Sequence, residues 1–188
     1  MLGKRLAHEK FNLVISSDLK RTVDTSGIIM SFMESKPDFK TDERLREKSA
    51  GVYEGQPLGT TGDTALKLGI NPREFRPENG ESWLDINKRV VSFISDLQPL
   101  YREMMGSTDA VSEEEKHLEV QPKKILLITH GGWITEFLNV AYEMMGGKHS
   151  QKEKVKNCAL FVFKLIVTDE GCVRFDPVVE NDVSHMTD

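Results

Sequence analysis

The stretch Ile125-Leu126-Leu127-Ile128-Thr129-His130-Gly131-Gly132-Trp133-Ile134 constrains this chain most. An unbroken aliphatic run bounded by turn residues reads as a strand buried on both faces, as inside a parallel sheet. Parallel strands need long crossover connections, which helices usually supply. Strands alternating with helices along the chain suggest one α/β domain with helices on both faces. The paired glycines allow a sharp turn, and the apolar spacing from Trp133 predicts a helix whose free N–H groups point back at the strand end. Such a junction suits an anion. His130 sits at its tip, where ligands gather in open α/β sheets. A lone histidine there is more often a core or surface residue. The glycine pair and the strand-to-helix setting make this one a candidate site residue.

The remaining elements follow the same pattern. Met1 to Lys10 looks helical, with Leu2, Leu6 and Ala7 on one side and no N-cap. Phe11 to Ile15 is a short buried strand, and Ser17 is the expected N-cap of a helix carrying Leu19, Val23, Ile29 and Met33. Arg21 falls in that helix's first turn, where positive charge opposes the dipole. It is a solvated charge unless an anion sits nearby. Asp42 to Lys48 crowds charges around Leu45 and reads as a solvated loop. Residues 56–76 have little periodicity apart from a short helix near Asp63 to Leu68, a pattern common in lids and specificity segments. Ser82 with Asp85 resembles a capping box before a stripe of Trp83, Ile86, Val90, Phe93 or Ile94, and Leu97. Pro99 is expected to kink or end that helix near Gln98. Residues 106–120 carry an acidic run and read as a flexible insertion. Trp133, Phe137, Ala141 and Met144 line the helix after His130, Ala159 to Val167 is a strand, and Val173 to Glu180 is a candidate neighbour for it.

Composition narrows the function classes. With 188 residues, 38% hydrophobic and 29% charged, the chain is large enough for one domain with a real core and too apolar for wholesale disorder. A net charge of −5 gives no general support for binding nucleic acid or an acidic membrane, so an anionic ligand needs a local cluster of positive groups. No apolar run has the length of a membrane span, and Met1 is not followed by a signal-peptide pattern. Cys158 and Cys172 lack zinc spacing. The expectation is a cytoplasmic protein with no metal, no cofactor, and no nucleic-acid or membrane partner. Oligomeric state stays open.

Several segments together point to a family. These are Ser16-Ser17-Asp18-Leu19-Lys20-Arg21-Thr22, Leu45-Arg46-Glu47 with Gly51-Val52-Tyr53-Glu54-Gly55, Pro77-Glu78-Asn79-Gly80-Glu81-Ser82, Thr129-His130-Gly131-Gly132 and Asn181-Asp182-Val183-Ser184-His185. In this order, over nearly the whole chain, they resemble the histidine phosphatase family, the fold of phosphoglycerate mutases. The resemblance implies a three-layer sandwich with a mostly parallel central sheet and helices on both faces, as a single domain over 1–188. In this family a histidine attacks phosphorus and carries the phosphoryl group, so one hard displacement becomes two easier ones. Arginines and a second histidine bind the phosphoryl oxygens, and a carboxylic acid protonates the leaving oxygen. By motif, Arg21 corresponds to the phosphate-clamping arginine, Glu47 to the proton donor and His130 to the second histidine. Gly131 is expected to offer a backbone N–H, with Ser17 and Glu81 lining the pocket.

The family's attacking histidine belongs to an Arg-His-Gly triplet at the end of its first strand. No such triplet occurs in these 188 residues. Arg5 and His8 are not adjacent and follow no strand. The expectation is an N-terminally incomplete domain, missing the first strand and its nucleophile, with negligible turnover. Within the family, the segment from Leu2 to Leu19 and the polar insertion resemble fructose-2,6-bisphosphatase-like members, which implies a small phosphorylated substrate. The alternatives are a non-catalytic phosphate-binding or partner-binding module and a phosphoglycerate mutase-type phosphotransferase. A chain lacking a central strand also risks exposed ladder edges and poor stability.

Overall fold

The computed structural model describes residues 1–105, 122–149, 154–167 and 173–186. The insertion expected at 106–120 lies outside the described residues. Strands β1 (Leu13–Ser16), β2 (Asp38–Thr41) and β3 (Ile125–Ile128) form a parallel sheet in the order β2-β1-β3. Val14 lies opposite both Phe39 and Leu126.

Side chains alternate along a strand, so each strand feeds two apolar layers. Leu13 and Ile15 of β1, with Ile125 and Leu127 of β3, face one cluster. That cluster holds Ile86, Val90, Phe93, Ile94 and Leu97 of α4 (Trp83–Met105) and Trp133, Phe137 and Ala141 of α5 (Gly131–Met144). Val14, Leu126 and Ile128 face the other cluster. There they meet Leu6 of α1 (Leu2–Leu6), Ile29 of α2 (Lys20–Ser31) and Met33 just beyond it. Helices therefore cover both faces, and the expected layered α/β fold is the one observed.

The C-terminal strands β4 (Leu160–Val167) and β5 (Val173–Asp182) pair antiparallel in their own ladder. Phe163, Leu165 and Phe175 pack this ladder onto the first cluster, with Phe175 meeting Phe137 edge-on at 5.0 Å. Among the described residues β3 pairs only with β1. The segment expected to hold a short helix forms α3 (Thr60–Lys67).

Local expectations fared unevenly. The capping box at the start of α4 is real: Ser82 N–H donates to Asp85 Oδ2 at 2.8 Å, and Asp85 N–H donates to Ser82 Oγ at 3.2 Å. Pro99 does not end α4, which continues to Met105. Leu97 is buried and Leu100 partly so against the cluster, and that packing outweighs the hydrogen bond Pro99 cannot donate. Met144 is 45% exposed rather than lining the core, since it is the last residue of α5. Ser17 is not the cap of α2: Leu19 occupies that position, without a side-chain cap bond. The Ser17 hydroxyl is used elsewhere.

Candidate active site

The register of the sheet assembles the site. Ser16 of β1 lies opposite Ile128 of β3, so Ser17 and His130 leave the same sheet edge together. Ser17 N–H donates to Ile128 C=O at 2.9 Å, extending the pairing by one residue. Thr22 Oγ1 donates to the carbonyls of Ser17 and Leu19, which fixes the turn into α2 and places Arg21 at that edge.

His130 occupies the N-cap position of α5 yet makes no side-chain cap bond. Its ring instead bridges two other segments. Arg21 Nε donates to His130 Nδ1 at 3.3 Å, and Arg21 Nη2 lies 3.1 Å from the same atom. His130 Nε2 lies 3.0 Å from Ser17 Oγ. Arginine has no acceptor, so Nδ1 must accept and the ring proton is assigned to Nε2, facing Ser17. The electrostatics agree with a neutral ring. Burial draws the His130 pKa below the ordinary imidazole value, and the Arg21 charge adds to this against a smaller opposing pull from Glu47. Arg21 itself is exposed, and its guanidinium has no carboxylate partner among the described residues.

Glu47 approaches from a different element. Residues 44–49 form a strap pinned beneath by Leu45, which is 0% exposed, and from the side by Thr129 Oγ1, which donates to Leu45 C=O at 2.7 Å. Arg89 of α4 holds the strap's backbone, donating to the carbonyls of Arg44 at 2.6 Å and Arg46 at 3.0 Å. It also forks onto Glu81, at 2.9 and 3.0 Å. Glu81 Oε2 in turn accepts Ser49 N–H at 3.0 Å. Arg46 pairs with Asp18, tying the strap to the start of α2. At the strap's centre, Glu47 Oε2 accepts Gly132 N–H at 3.1 Å and Oε1 accepts Lys48 N–H at 2.9 Å. The first of these places a carboxylate at the N-terminus of α5, where the dipole favours it.

Gly132 makes room for this carboxylate. A Cβ at this position would lie 2.2 Å from Glu47 Oε1. Gly51 has a similar role behind the strap, with φ at +56° and a would-be Cβ 2.1 Å from Glu78 C=O. The two glycine-bearing motifs dock there, and Val52 N–H donates to Glu78 C=O at 3.0 Å.

Of the residues singled out by sequence, the structure brings Arg21 and Ser17 onto the two ring nitrogens of His130, with Glu47 alongside on the Gly132 N–H. Glu81 sits behind the strap, engaged with Arg89 and Ser49. Gly131 is exposed at the first position of α5, and the N–H that meets a site carboxylate is that of Gly132. Sequence reasoning missed Gly132, Arg89 and Lys48. Burial holds the Lys48 ammonium below the usual lysine range, with Glu81 and Glu47 opposing, and it lies 5.9 Å from the Trp83 ring centre. Arg89 falls on the polar side of an amphipathic helix, and only the adjacency of Lys48 to Glu47 could have flagged that residue. Among the described residues no group of His, Cys, Asp and Glu is arranged to hold a metal ion. None of the described helices is long and apolar enough to cross a membrane.

Comparison with known proteins places this geometry in a lineage. The histidine phosphatase superfamily (branch 1) model matches residues 1–175. Fructose-2,6-bisphosphatase TIGAR of Bos taurus is 35% identical over 114 residues, which cover 60% of this chain and 42% of that protein. Phosphoglycerate mutase-like protein 4 of Arabidopsis thaliana is 28% identical over 191 residues, 98% of this chain and 71% of that one. The crystal structure of phosphoglycerate mutase from Bacillus anthracis str. Sterne shares the fold, with a TM-score of 0.67 at 20% identity over 98% of this chain and 78% of that one. The chain spans only 42%, 62% and 56% of the length of the TIGAR relatives from Bos taurus, Xenopus tropicalis and Danio rerio. The layered sheet, the order of the motifs and the match over residues 1–175 lead to one assignment: this chain belongs to the histidine phosphatase superfamily, branch 1.

Proposed function

We propose that the chain carries the phosphoryl-binding and proton-donating parts of a phosphomonoester hydrolase site for small phosphorylated metabolites, of the fructose-2,6-bisphosphatase kind. One observation carries this reading. Arg21 and His130, 109 residues apart in sequence, share a hydrogen bond at the sheet edge where Ser17 and Glu47 also converge.

In the proposed site a phosphoryl group takes the donors that now satisfy one another. Arg21 offers a planar fork matched to two phosphoryl oxygens. His130 offers its Nε2 proton, with the Ser17 hydroxyl and the exposed Gly131 N–H nearby. Such fixed donors stabilise charge on the oxygens without reorganising during transfer. Glu47 delivers a proton to the leaving oxygen. Glu81 acts at one remove, by holding Arg89 and the strap. No metal or organic cofactor is needed for these steps, and a cytoplasmic setting suits the substrate class.

Transfer through a phosphohistidine needs an attacking imidazole. In this family it comes from Arg-His-Gly, a triplet these 188 residues do not contain. In this reading His130 binds a phosphoryl oxygen, a role that its bonds to Arg21 and Ser17 support. Purified 1–188 is therefore expected to release no phosphate from fructose 2,6-bisphosphate above the blank. Robust release, abolished by His130→Ala, would overturn that assignment.

A second reading, a phosphate-binding module without catalysis, is favoured by the Arg21–His130 pair forming in 188 residues that hold no Arg-His-Gly triplet. Both readings predict binding in a calorimetric titration with inorganic phosphate, and no binding removes both. Phosphoryl transfer between the positions of phosphoglycerate, assayed directly, would instead favour a mutase-type activity.

A further inference from the structure

On the far half of α5, Arg73, Asn139, Glu143, Lys148 and His149 line a second cavity, of about 280 Å³. Asn139 lies nine residues beyond His130 along the helix, roughly 13 Å at the α-helical rise. This cavity is therefore separate from the Arg21–His130 cluster.

Its chemistry is built from beneath. Glu136 is 0% exposed and accepts from Arg73 Nη2 at 2.6 Å, Asn87 Nδ2 at 2.9 Å and Asn139 Nδ2 at 3.3 Å. That carboxylate is satisfied, and it fixes Arg73 in place. Arg73 Nε and Nη1 keep free donors among the described residues, and Lys148 has no ion pair among them. The Nδ1 atom of His149 is buried without a hydrogen-bond partner among the described residues. Its ring is held 4.9 Å from that of Tyr142, whose hydroxyl donates to Glu180 at 2.7 Å.

The dipole of α5 favours cations beyond its C-terminus, which suits Lys148. It does not account for Arg73, which arrives from another segment, nor for a buried ring nitrogen left unpaired. Three nitrogen-bearing side chains, Arg73, Lys148 and His149, suit one anionic group. Glu143, with no ion pair among the described residues, and the Asn139 carbonyl oxygen suit hydroxyl donors on the same molecule. A bare polyanion would meet Glu143 unfavourably.

We infer that this cavity binds a small polyol bearing one phosphate or carboxylate group, at a site independent of the His130 pocket and of any phosphatase activity. The test is a long-range proton–nitrogen spectrum of the histidine rings of uniformly ¹⁵N-labelled 1–188, titrated with glycerol 3-phosphate and, separately, with glycerate. The His149 ring signals shift saturably with one ligand or both, and the responding ligand identifies the anionic group. In Lys148→Gln the midpoint weakens about tenfold. In Arg21→Met the His149 response persists whatever happens at His130, so the two sites fail separately. His149 signals unmoved by either ligand, a Lys148→Gln midpoint equal to that of the parent, or loss of the His149 response in Arg21→Met would each overturn the inference.

Discussion

The two sides of the candidate active site are built differently. On the acid side, Glu47 rides a strap held by Leu45 below, Thr129 beside it, Arg89 behind and the α5 N-terminus in front. On the phosphate side, exposed Arg21 is held through its guanidinium by one imidazole. The acid side is set by folding, whereas on the proposed phosphate side the side chains of Arg21 and Ser17 bond to the His130 ring between them. Preorganisation here is unequal, and substitutions on the two sides should separate stability from binding.

The sharpest contrast comes from Arg89, whose side chain is 20% exposed. Arg89→Met leaves Glu81 Oε1 and the carbonyls of Arg44 and Arg46 without their donor. It should cost about 2–4 kcal/mol in urea unfolding. Arg89→Lys should recover only part of this, because an ammonium cannot fork. A loss within about 0.5 kcal/mol for Arg89→Met would break the contrast.

Gly132→Ala tests the same side at closer range. The new methyl forces the Glu47 carboxylate away from its N–H partner, at a cost of about 1–3 kcal/mol, offset in part by the better helix propensity of alanine. Hydrogen exchange at 44–49 should quicken while the Arg21–His130 contact persists. Unchanged exchange would mean that the strap does not need this bond.

Acid should loosen the segment behind the strap. Burial raises the Asp85 pKa, but the Ser82 hydroxyl, Arg76 and the Ser82 N–H outweigh it and bring the carboxyl down to about 2. A depressed folded-state pKa adds stability that is complete above the unfolded value and lost as pH falls through the folded one. About 1–2 kcal/mol should therefore disappear between roughly pH 4 and pH 2, after discounting the exposed Arg76 partner. Asp85→Asn should flatten that part of the stability curve, and an unaltered slope would contradict the assignment.

The smallest stability effect belongs to the phosphate side. Arg21→Met should shift unfolding by less than about 0.5 kcal/mol, since the side chain is exposed and supports no backbone. A large loss would mean that Arg21 is structural after all.

What could be read from the sequence divides along similar lines. The aliphatic runs of β1 and β3, the Ser82–Asp85 box and the Trp133–Phe137–Ala141 face are local patterns, and each appears where its period or cap chemistry places it. The association of Arg21 with His130 was legible only through the order of family motifs, because no periodicity links residues that far apart. Arg89 and Gly132 were not legible. Their importance comes from a strap crossing α4 and α5, and a charged residue on a helix or a glycine at its start has many uses. Ser17 misled by resembling a cap, and its hydroxyl proved to face the His130 ring. Pro99 misled by intrinsic preference, which core packing overrode.

The central claim is that Arg21, Ser17 and His130 hold one phosphate between them, beside Glu47. The pH titration of the His130 ring by NMR, with and without saturating inorganic phosphate, tests it most directly. Burial and Arg21 hold that ring below the ordinary imidazole pKa, and a bound anion should raise it. The account predicts an upward shift that disappears in Arg21→Met. Superimposable titration curves with and without phosphate would contradict it.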